Sequence, residues 1–178
     1  NIVEAIISHN ATSIFASPVI GKKIADWCES EQINLPSLRR ILLAGAPTSP
    51  KLVQRLASIL THGKIYLPYG ATEALPVAYC EGRDIILQKD SIQSGAGSLL
   101  GKSISGVKVK IFPVTMAPFS SRIGELREIT GEDVGEICVS GGVVTDGYYK
   151  MPGASFDARF TYQEEIFHRM GDLGYLDA

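Results

Sequence analysis

Residues 40–68 read RILLAGAPTSPKLVQRLASILTHGKIYLP, and this stretch decides the fold. It begins with a short apolar run, residues 40–44, that is typical of a buried strand. Ser49 followed by Pro50 is a helix-start signal, with serine as the N-cap and proline at the first helical position. Apolar residues then recur at helical spacing, and a second apolar run follows at residues 64–68. The stretch therefore predicts a strand–helix–strand unit of a parallel sheet.

The residues before this unit repeat the pattern. Residues 12–16 predict another buried strand, and Ser17 with Pro18 predicts the start of a second capped helix. Residues 2–7 form an apolar run that predicts a short helix at the start of the chain. Three strands separated by capped helices predict an α/β lobe with a parallel sheet, in which ligands bind beyond the carboxyl ends of the strands.

The pattern changes beyond about residue 90, where glycine becomes frequent and helical periodicity disappears. Residues 107–111 and 136–140 alternate with a period of two, which predicts short strands between glycine turns. We therefore expect a partial α/β subdomain at residues 1–90 and a small, mostly antiparallel, β-barrel-like subdomain at residues 91–178. The boundary is expected between Asp84 and Gln93.

Composition excludes several classes of protein. The chain has 178 residues, with 17 basic and 19 acidic side chains and a net charge of −2, so it lacks the basic surface of a nucleic-acid-binding protein. Its apolar runs are shorter than the roughly 20 residues of a transmembrane helix. Its three cysteines lie far apart, which is typical of reduced, packed thiols and predicts a cytoplasmic location. Because the chain begins at Asn1 without a signal peptide and stops at Ala178, we expect it to be a piece of a longer protein.

The segment YGATE, residues 69–73, combines several chemistries after a predicted strand. Tyr69 can stack on a planar ring, and Gly70 allows close approach of a ligand to the backbone. Thr72 can donate to a phosphate, and Glu73 can bind a hard cation such as Mg²⁺. A turn in which Thr72 caps a short helix and the helix dipole favours Glu73 explains the same residues, and both interpretations stay open here.

Two further motifs lie near the end of the chain. Gly171–Asp172 is most often a simple turn, although an aspartate in this setting can accept two hydrogen bonds from a ribose diol. His168 and Arg169 lie in an alternating segment, so we predict a structural role for them rather than a catalytic one.

Taken in order, these motifs resemble the adenylate-forming superfamily, which includes acyl-CoA synthetases, peptide-synthetase adenylation domains and luciferases. The resemblance covers nearly the whole chain and rests on four segments: Gly45-Ala46-Pro47, Tyr69-Gly70-Ala71-Thr72-Glu73, residues 135–149 and residues 171–174. The sequences of residues 69–78 and 168–178 resemble one branch most. This branch is the β-lactone synthetases of olefin biosynthesis, which are often labelled fatty-acid-CoA ligases.

The resemblance implies a role for each matching residue. Tyr69 would stack on adenine, with Gly70 and Ala71 beside it, and the loop Gly45-Ala46-Pro47 would line the same base. Thr72 would contact the α-phosphate and Glu73 would bind Mg²⁺, so that these two residues carry the catalytic role. Asp172 would hold the ribose hydroxyls.

The implied reaction is the attack of a carboxylate on ATP, which gives an acyl-adenylate and pyrophosphate. A long-chain fatty or β-hydroxy acid would be the substrate, and CoA would accept the acyl group. Internal closure to a β-lactone is the alternative, and a non-catalytic nucleotide-binding or interaction module is the alternative from another class. The family's Pro-Lys-Gly loop and C-terminal domain are not among these residues. We therefore expect the rest of the same polypeptide to be the partner and the 178 residues alone to be inactive.

Overall fold

The computed structural model describes residues 1–119, 124 and 126–177. Helices and strands alternate in its first half, and strands predominate in its second half. The helices are α1 (Ile2–Ser8), α2 (Pro18–Ser30), α3 (Pro50–Ile59), α4 (Gly82–Leu87), α5 (Lys89–Gln93) and α6 (Pro152–Ala158). The strands are β1 (Ser13–Ala16), β2 (Arg40–Leu43), β3 (Lys64–Ala71), β4 (Ala74–Glu81), β5 (Lys102–Ser103), β6 (Val107–Phe112), β7 (Gly135–Gly141), β8 (Arg159–Tyr162) and β9 (Glu165–Gly174).

The first sheet has the strand order β1-β2-β3-β4-β5. Strand β1 pairs with β2 in parallel, and β2 pairs with β3 in parallel. The predicted parallel sheet is therefore confirmed. Strand β3 is longer than the predicted run at residues 64–68, because it continues to Ala71 and joins β4 through a turn at residues 72 and 73.

Both predicted helix caps are confirmed. The Ser17 hydroxyl accepts the Ile20 N–H at 3.5 Å at the start of α2, and the Ser49 hydroxyl accepts the Leu52 N–H at 3.3 Å at the start of α3. Proline occupies the first turn of each helix, where its missing N–H would have had no helical partner. Both helices bury an apolar face, and these faces pack into the same hydrophobic core as strands β1, β2 and β3.

The chain divides into two compact units. Unit 1 comprises residues 1–69 and 78–102, and unit 2 comprises residues 70–77 and the chain from residue 103 onward. The core of unit 1 is aliphatic, with Ile24, Ile41 and Leu56 fully buried. The division into subdomains at residue 90 stays a prediction.

Unit 2 contains a four-stranded antiparallel sheet in the order β6-β7-β9-β8. Within the described part of the chain this sheet is open rather than closed into a barrel. Its core is aromatic: the rings of Phe112 and Phe160 meet edge to face at 5.2 Å, and Phe119 and Phe160 meet in the same way at 4.9 Å. Helix α6 interrupts the glycine-rich half, where the sequence predicts only strands and turns.

An ion pair between Glu136 on β7 and Arg169 on β9 lies within unit 2. The guanidinium group donates to both carboxylate oxygens, at 2.9 and 2.7 Å, and the two side chains are only 8% and 15% exposed. Its remaining N–H groups donate to the carbonyls of Thr115, Ala117 and Asp157. The predicted structural role of Arg169 is thereby explained: one buried cation joins two strands, a loop and helix α6.

We expect Arg169→Met to lower the free energy of unfolding by about 3–5 kcal/mol, because it leaves the Glu136 carboxylate buried without its partner. The double variant Glu136→Leu/Arg169→Met should lose less, since no buried charge remains. Urea unfolding measures both. Arg83→Met is the matched control, because Arg83 also pairs with carboxylates but its side chain is 73% exposed. Equal losses in the free energy of unfolding for Arg169→Met and Arg83→Met would contradict the structural role of the buried ion pair.

Candidate functional site

Two of the predicted site segments lie in unit 1, at one edge of the parallel sheet. The loop Gly45-Ala46-Pro47 follows β2 and is exposed, and Tyr69 lies near the end of β3. Leu42 pairs with Tyr66 across the two strands. Gly45 and Tyr69 each come three residues after that pair, so they lie at the same edge. Gly45 has a φ of +90°, a conformation that favours glycine.

The other half of the YGATE segment lies in unit 2. Gly70 and Ala71 end β3, and Thr72 and Glu73 form the two-residue turn to β4. The alternative in which Thr72 caps a short helix is therefore wrong, because a strand follows the turn. Close packing also requires a glycine at position 70, because a Cβ added there would lie 2.4 Å from the carbonyl oxygen of Ala74.

The carboxylate of Glu73 is half-buried and held from outside the turn. The Tyr148 hydroxyl donates to Glu73 Oε1 at 2.8 Å, and the Thr145 N–H donates to the Glu73 carbonyl, also at 2.8 Å. The hydrogen bond from Tyr148, together with one from its own backbone N–H, holds the pKa of the Glu73 carboxyl below its usual value. Glu73 is therefore an ionised carboxylate at neutral pH.

An ionised carboxylate on an accessible turn suits a hard cation. Mg²⁺ is usually held by one or two carboxylates together with substrate phosphates rather than by a cage of protein ligands. The described residues contain no group of three or more His, Cys, Asp or Glu side chains that could hold a metal ion. The chemistry of the Glu73 carboxylate therefore fits a hard cation such as Mg²⁺.

Asp172 lies in an irregular stretch of β9 and not in an isolated turn. Glu136 pairs with Leu173, and Cys138 pairs with Arg169, so residues 170–172 of β9 face the single residue between Glu136 and Cys138 on β7. Such bulges re-aim side chains and are frequent next to active sites. Gly171 has a φ of +73° within the bulge, and the side chain of Asp172 is exposed. Arg169 is the basic residue nearest in sequence, and its guanidinium is committed to Glu136.

An open cleft of about 540 Å³ lies between α6 and this bulge. Tyr148, Met151 and Arg169 contribute to its walls, as does Gly171. Because Gly171 lines the cleft and immediately precedes Asp172, a concave surface lies close to Asp172. The cleft and the bulge both belong to unit 2.

Sequence reasoning did not identify Tyr148 or His168 as neighbours of Glu73. Gly147–Tyr148 belongs to the third segment of the resemblance, which is the signal that could have drawn attention to it, but 75 residues separate Tyr148 from Glu73. The His168 ring lies 6.4 Å from the Tyr148 ring and is almost fully buried. Its Nδ1 atom has no hydrogen-bond partner among the described residues. Burial lowers the pKa of His168.

The three cysteines are free and buried, as predicted. Burial raises the pKa of Cys80 to about 11 and raises the pKa of Cys138 further still. Thiols with raised pKa values carry little of the reactive thiolate. The cysteines pack in the hydrophobic cores. Because their thiols are protonated at neutral pH, they add no nucleophile to the site.

The burial of His168 predicts a pH dependence of stability. Because its pKa in the folded chain is below its ordinary value of 6.5, the unfolded chain binds the proton more readily. The contribution of His168 to stability should be fully present above pH 6.5 and be lost as the pH falls from there through the folded pKa. In urea unfolding, His168→Gln should flatten the pH dependence below 6.5. His62→Gln, at an exposed histidine, should follow the wild type, and equal slopes for all three proteins would contradict this prediction.

No described helix combines the length and the apolar character that crossing a membrane requires.

Comparisons with known proteins show which proteins this chain resembles. The olefin β-lactone synthetase of Xanthomonas campestris pv. campestris is 33% identical over 98% of this chain and 32% of its own length. The mitochondrial medium-chain acyl-CoA ligase of Mus musculus is 24% identical over 98% of the chain and 26% of its own length. The chain thus spans about a third or less of the curated relatives it matches.

Solved structures share the fold. The crystal structure of a long-chain-fatty-acid-CoA ligase from Archaeoglobus fulgidus has a TM-score of 0.74 at 22% identity, over 98% of this chain and 34% of that one. A family model described as "AMP-binding enzyme" matches residues 1–149, which include the YGATE segment and the glycine–tyrosine pair at residues 147 and 148. The chain therefore belongs to the AMP-binding family of adenylate-forming enzymes.

Proposed function

We propose that this chain is the nucleotide-binding part of an ATP-dependent ligase that activates a carboxylic acid as its acyl-adenylate. One observation carries the proposal. The turn of the family's YGATE segment presents an ionised carboxylate, Glu73, which a hydrogen bond from a distant tyrosine holds in place. The Xanthomonas relative is a synthetase and the mouse relative is a ligase, which supports an enzyme rather than the alternative of a non-catalytic nucleotide-binding or interaction module.

In this proposal each predicted residue keeps a separate task. Tyr69 stacks on adenine, and the exposed loop Gly45-Ala46-Pro47 lines the base. Thr72 is exposed at the turn, and its hydroxyl donates a hydrogen bond to the α-phosphate. The Asp172 carboxylate accepts hydrogen bonds from the two ribose hydroxyls. Glu73 provides the carboxylate for Mg²⁺. Gly70 and Ala71 contribute to nucleotide binding beside Tyr69.

The reaction forms a bond between a carboxylate oxygen of the acid and the α-phosphorus of ATP. The bond from that phosphorus to the bridging oxygen breaks, and pyrophosphate leaves with the electron pair. When bound, Mg²⁺ would offset the negative charge of the phosphates. The residues of the chain contribute orientation and charge complementarity, which are the main means of catalysis in phosphoryl transfer.

The acid that we propose is a long-chain fatty or β-hydroxy acid. Transfer of the acyl group to CoA is the proposed second step, as the acyl-CoA ligase among the relatives suggests. Closure of a β-lactone by the substrate's own hydroxyl is the second candidate, and the higher identity to the olefin β-lactone synthetase favours it. The remainder of the same polypeptide is the proposed partner. A cytoplasmic location stays a prediction, with which the three free cysteines are compatible.

The proposal can be tested in a joined polypeptide, in which this chain replaces the matching third of the Xanthomonas relative. Carboxylate-dependent ATP–pyrophosphate exchange measures the first step. Analysis of products with and without CoA separates a thioester from a β-lactone. Exchange that does not depend on the acid would contradict the proposed activity.

Glu73→Gln should lower exchange by at least about tenfold when Mg²⁺ is limiting, because the amide lacks the charge that binds the metal. The fold should be retained, since the amide oxygen can still accept the hydrogen bond from Tyr148. Glu132→Gln, at an exposed glutamate, is the matched control. If the Glu73 variant matches the wild type at limiting Mg²⁺, the metal role is wrong.

Asp172→Ala should weaken the use of ATP by at least about tenfold, because hydrogen bonds to a charged group contribute roughly 1.5–3 kcal/mol each. The comparison of ATP with 2′,3′-dideoxy-ATP is the decisive measurement. The wild type and the control Asp133→Ala should prefer ATP, whereas the Asp172 variant should lose that preference. A preference that survives in the Asp172 variant would refute the ribose assignment.

A further inference from the structure

The turn at Thr72 and Glu73 is fastened to the loop that follows β7. The Thr145 N–H donates to the Glu73 carbonyl at 2.8 Å, and Ala74 forms an antiparallel bridge with Val144. These backbone contacts fix where the turn lies. Neither of these two contacts involves the Glu73 carboxylate, which within the turn accepts a hydrogen bond from its own backbone N–H.

The hydroxyl of Tyr148 adds a contact to the carboxylate from outside the turn. It donates to Glu73 Oε1 at 2.8 Å across 75 residues of sequence. A glutamate has three side-chain torsions, and restricting them on binding has an entropic cost. A glutamate already held by a hydroxyl has lost part of that freedom before any ligand arrives.

Tyr148 is itself fixed from two sides. Its backbone N–H donates to the Ser155 hydroxyl of α6 at 2.9 Å, and that hydroxyl also donates to the Met151 carbonyl at 3.0 Å. On the other side, the ring of the buried His168 meets the tyrosine ring edge to face at 6.4 Å. Tyr148 therefore reaches Glu73 from a rigid base.

We propose that Tyr148 is a positioning residue that orients the Glu73 carboxylate for the divalent cation of the nucleotide, with Ser155 holding Tyr148 in place. The inference rests on the proposed function of Glu73. The hydroxyl occupies Oε1 and aligns the carboxylate, so that the metal meets a single orientation. Hydrogen-bonded partners of carboxylate ligands commonly change metal affinity by 10- to 100-fold when they are removed.

The chain offers a matched control beside the residue of interest. Tyr149 has the same side chain but is 85% exposed, and its ring lies under the Lys150 ammonium group rather than near Glu73. Tyr148→Phe removes one hydroxyl and keeps the ring that packs against His168. Tyr149→Phe makes the same chemical change without touching the carboxylate.

The test is a titration of the joined polypeptide with Mn²⁺ in the presence of ATP, followed by electron paramagnetic resonance. Tyr148→Phe should raise the dissociation constant for Mn²⁺ about tenfold, and Tyr149→Phe should leave it unchanged. Glu73→Gln should raise it at least as much, and adding Tyr148→Phe to Glu73→Gln should have no further effect, because the hydroxyl acts only through the carboxylate. Ser155→Ala should give a smaller increase and provides a second variant with an intact Tyr148 hydroxyl.

The outcomes separate the two proposals. If Tyr148→Phe lowers the midpoint of urea unfolding but binds Mn²⁺ like the wild type, the tyrosine is merely structural and the inference fails while the role of Glu73 stands. If Glu73→Gln itself leaves Mn²⁺ binding unchanged, the proposed metal ligand is wrong and the inference fails with it. If Tyr148→Phe and Glu73→Gln weaken binding additively, Tyr148 acts by a route other than Glu73 and the inference also fails.

Discussion

The buried ion pair between Glu136 and Arg169 is the interaction on which the rest of unit 2 depends. Removing two charges from water is costly, and this cost is recovered only when both are paired and their remaining polar atoms are satisfied. The guanidinium meets that condition through its two bonds to the carboxylate and its bonds to three backbone carbonyls. It also lies over the ring of Phe119, 4.3 Å from its centre, so the aromatic core is built around the same cation.

This ion pair also connects the fold of unit 2 to its chemistry. One of the carbonyls that Arg169 binds belongs to Asp157 in α6, and Ser155 of the same helix holds the backbone of Tyr148. Tyr148 in turn reaches the carboxylate of Glu73. A series of direct contacts therefore runs from the core of the sheet to the turn. The pairing of β7 with β9 is irregular between the strand positions of Glu136 and Arg169. Asp172 lies in this irregular stretch, where it is not part of the regular strand pairing.

Membership of the family and the activity of the chain rest on different kinds of support. Similarity over 98% of the chain and a family model over residues 1–149 establish the family. The reaction, the acid and the acyl acceptor are proposals, because this chain covers only 32% of the length of the Xanthomonas relative. Within the described chain, the polar groups of the proposed site stand on turns, loops and a bulge, while the packed strands and helices provide the support.

The sequence by itself determined several of the local elements and indicated the family. Both serine–proline caps, the parallel strands of the first sheet and the strands near residues 107 and 136 follow from short-range patterns, because capping and burial periodicity act over a few residues. The YGATE and Gly-Asp motifs likewise identified Glu73 and Asp172 as candidates. Only the tertiary structure decided that residues 72 and 73 form a hairpin turn rather than a helix cap, and that Asp172 lies in a bulge. It alone brought Tyr148 to Glu73 and Arg169 to Glu136, across 75 and 33 residues. Contacts of that length depend on how strands pair and helices pack, which no local pattern encodes.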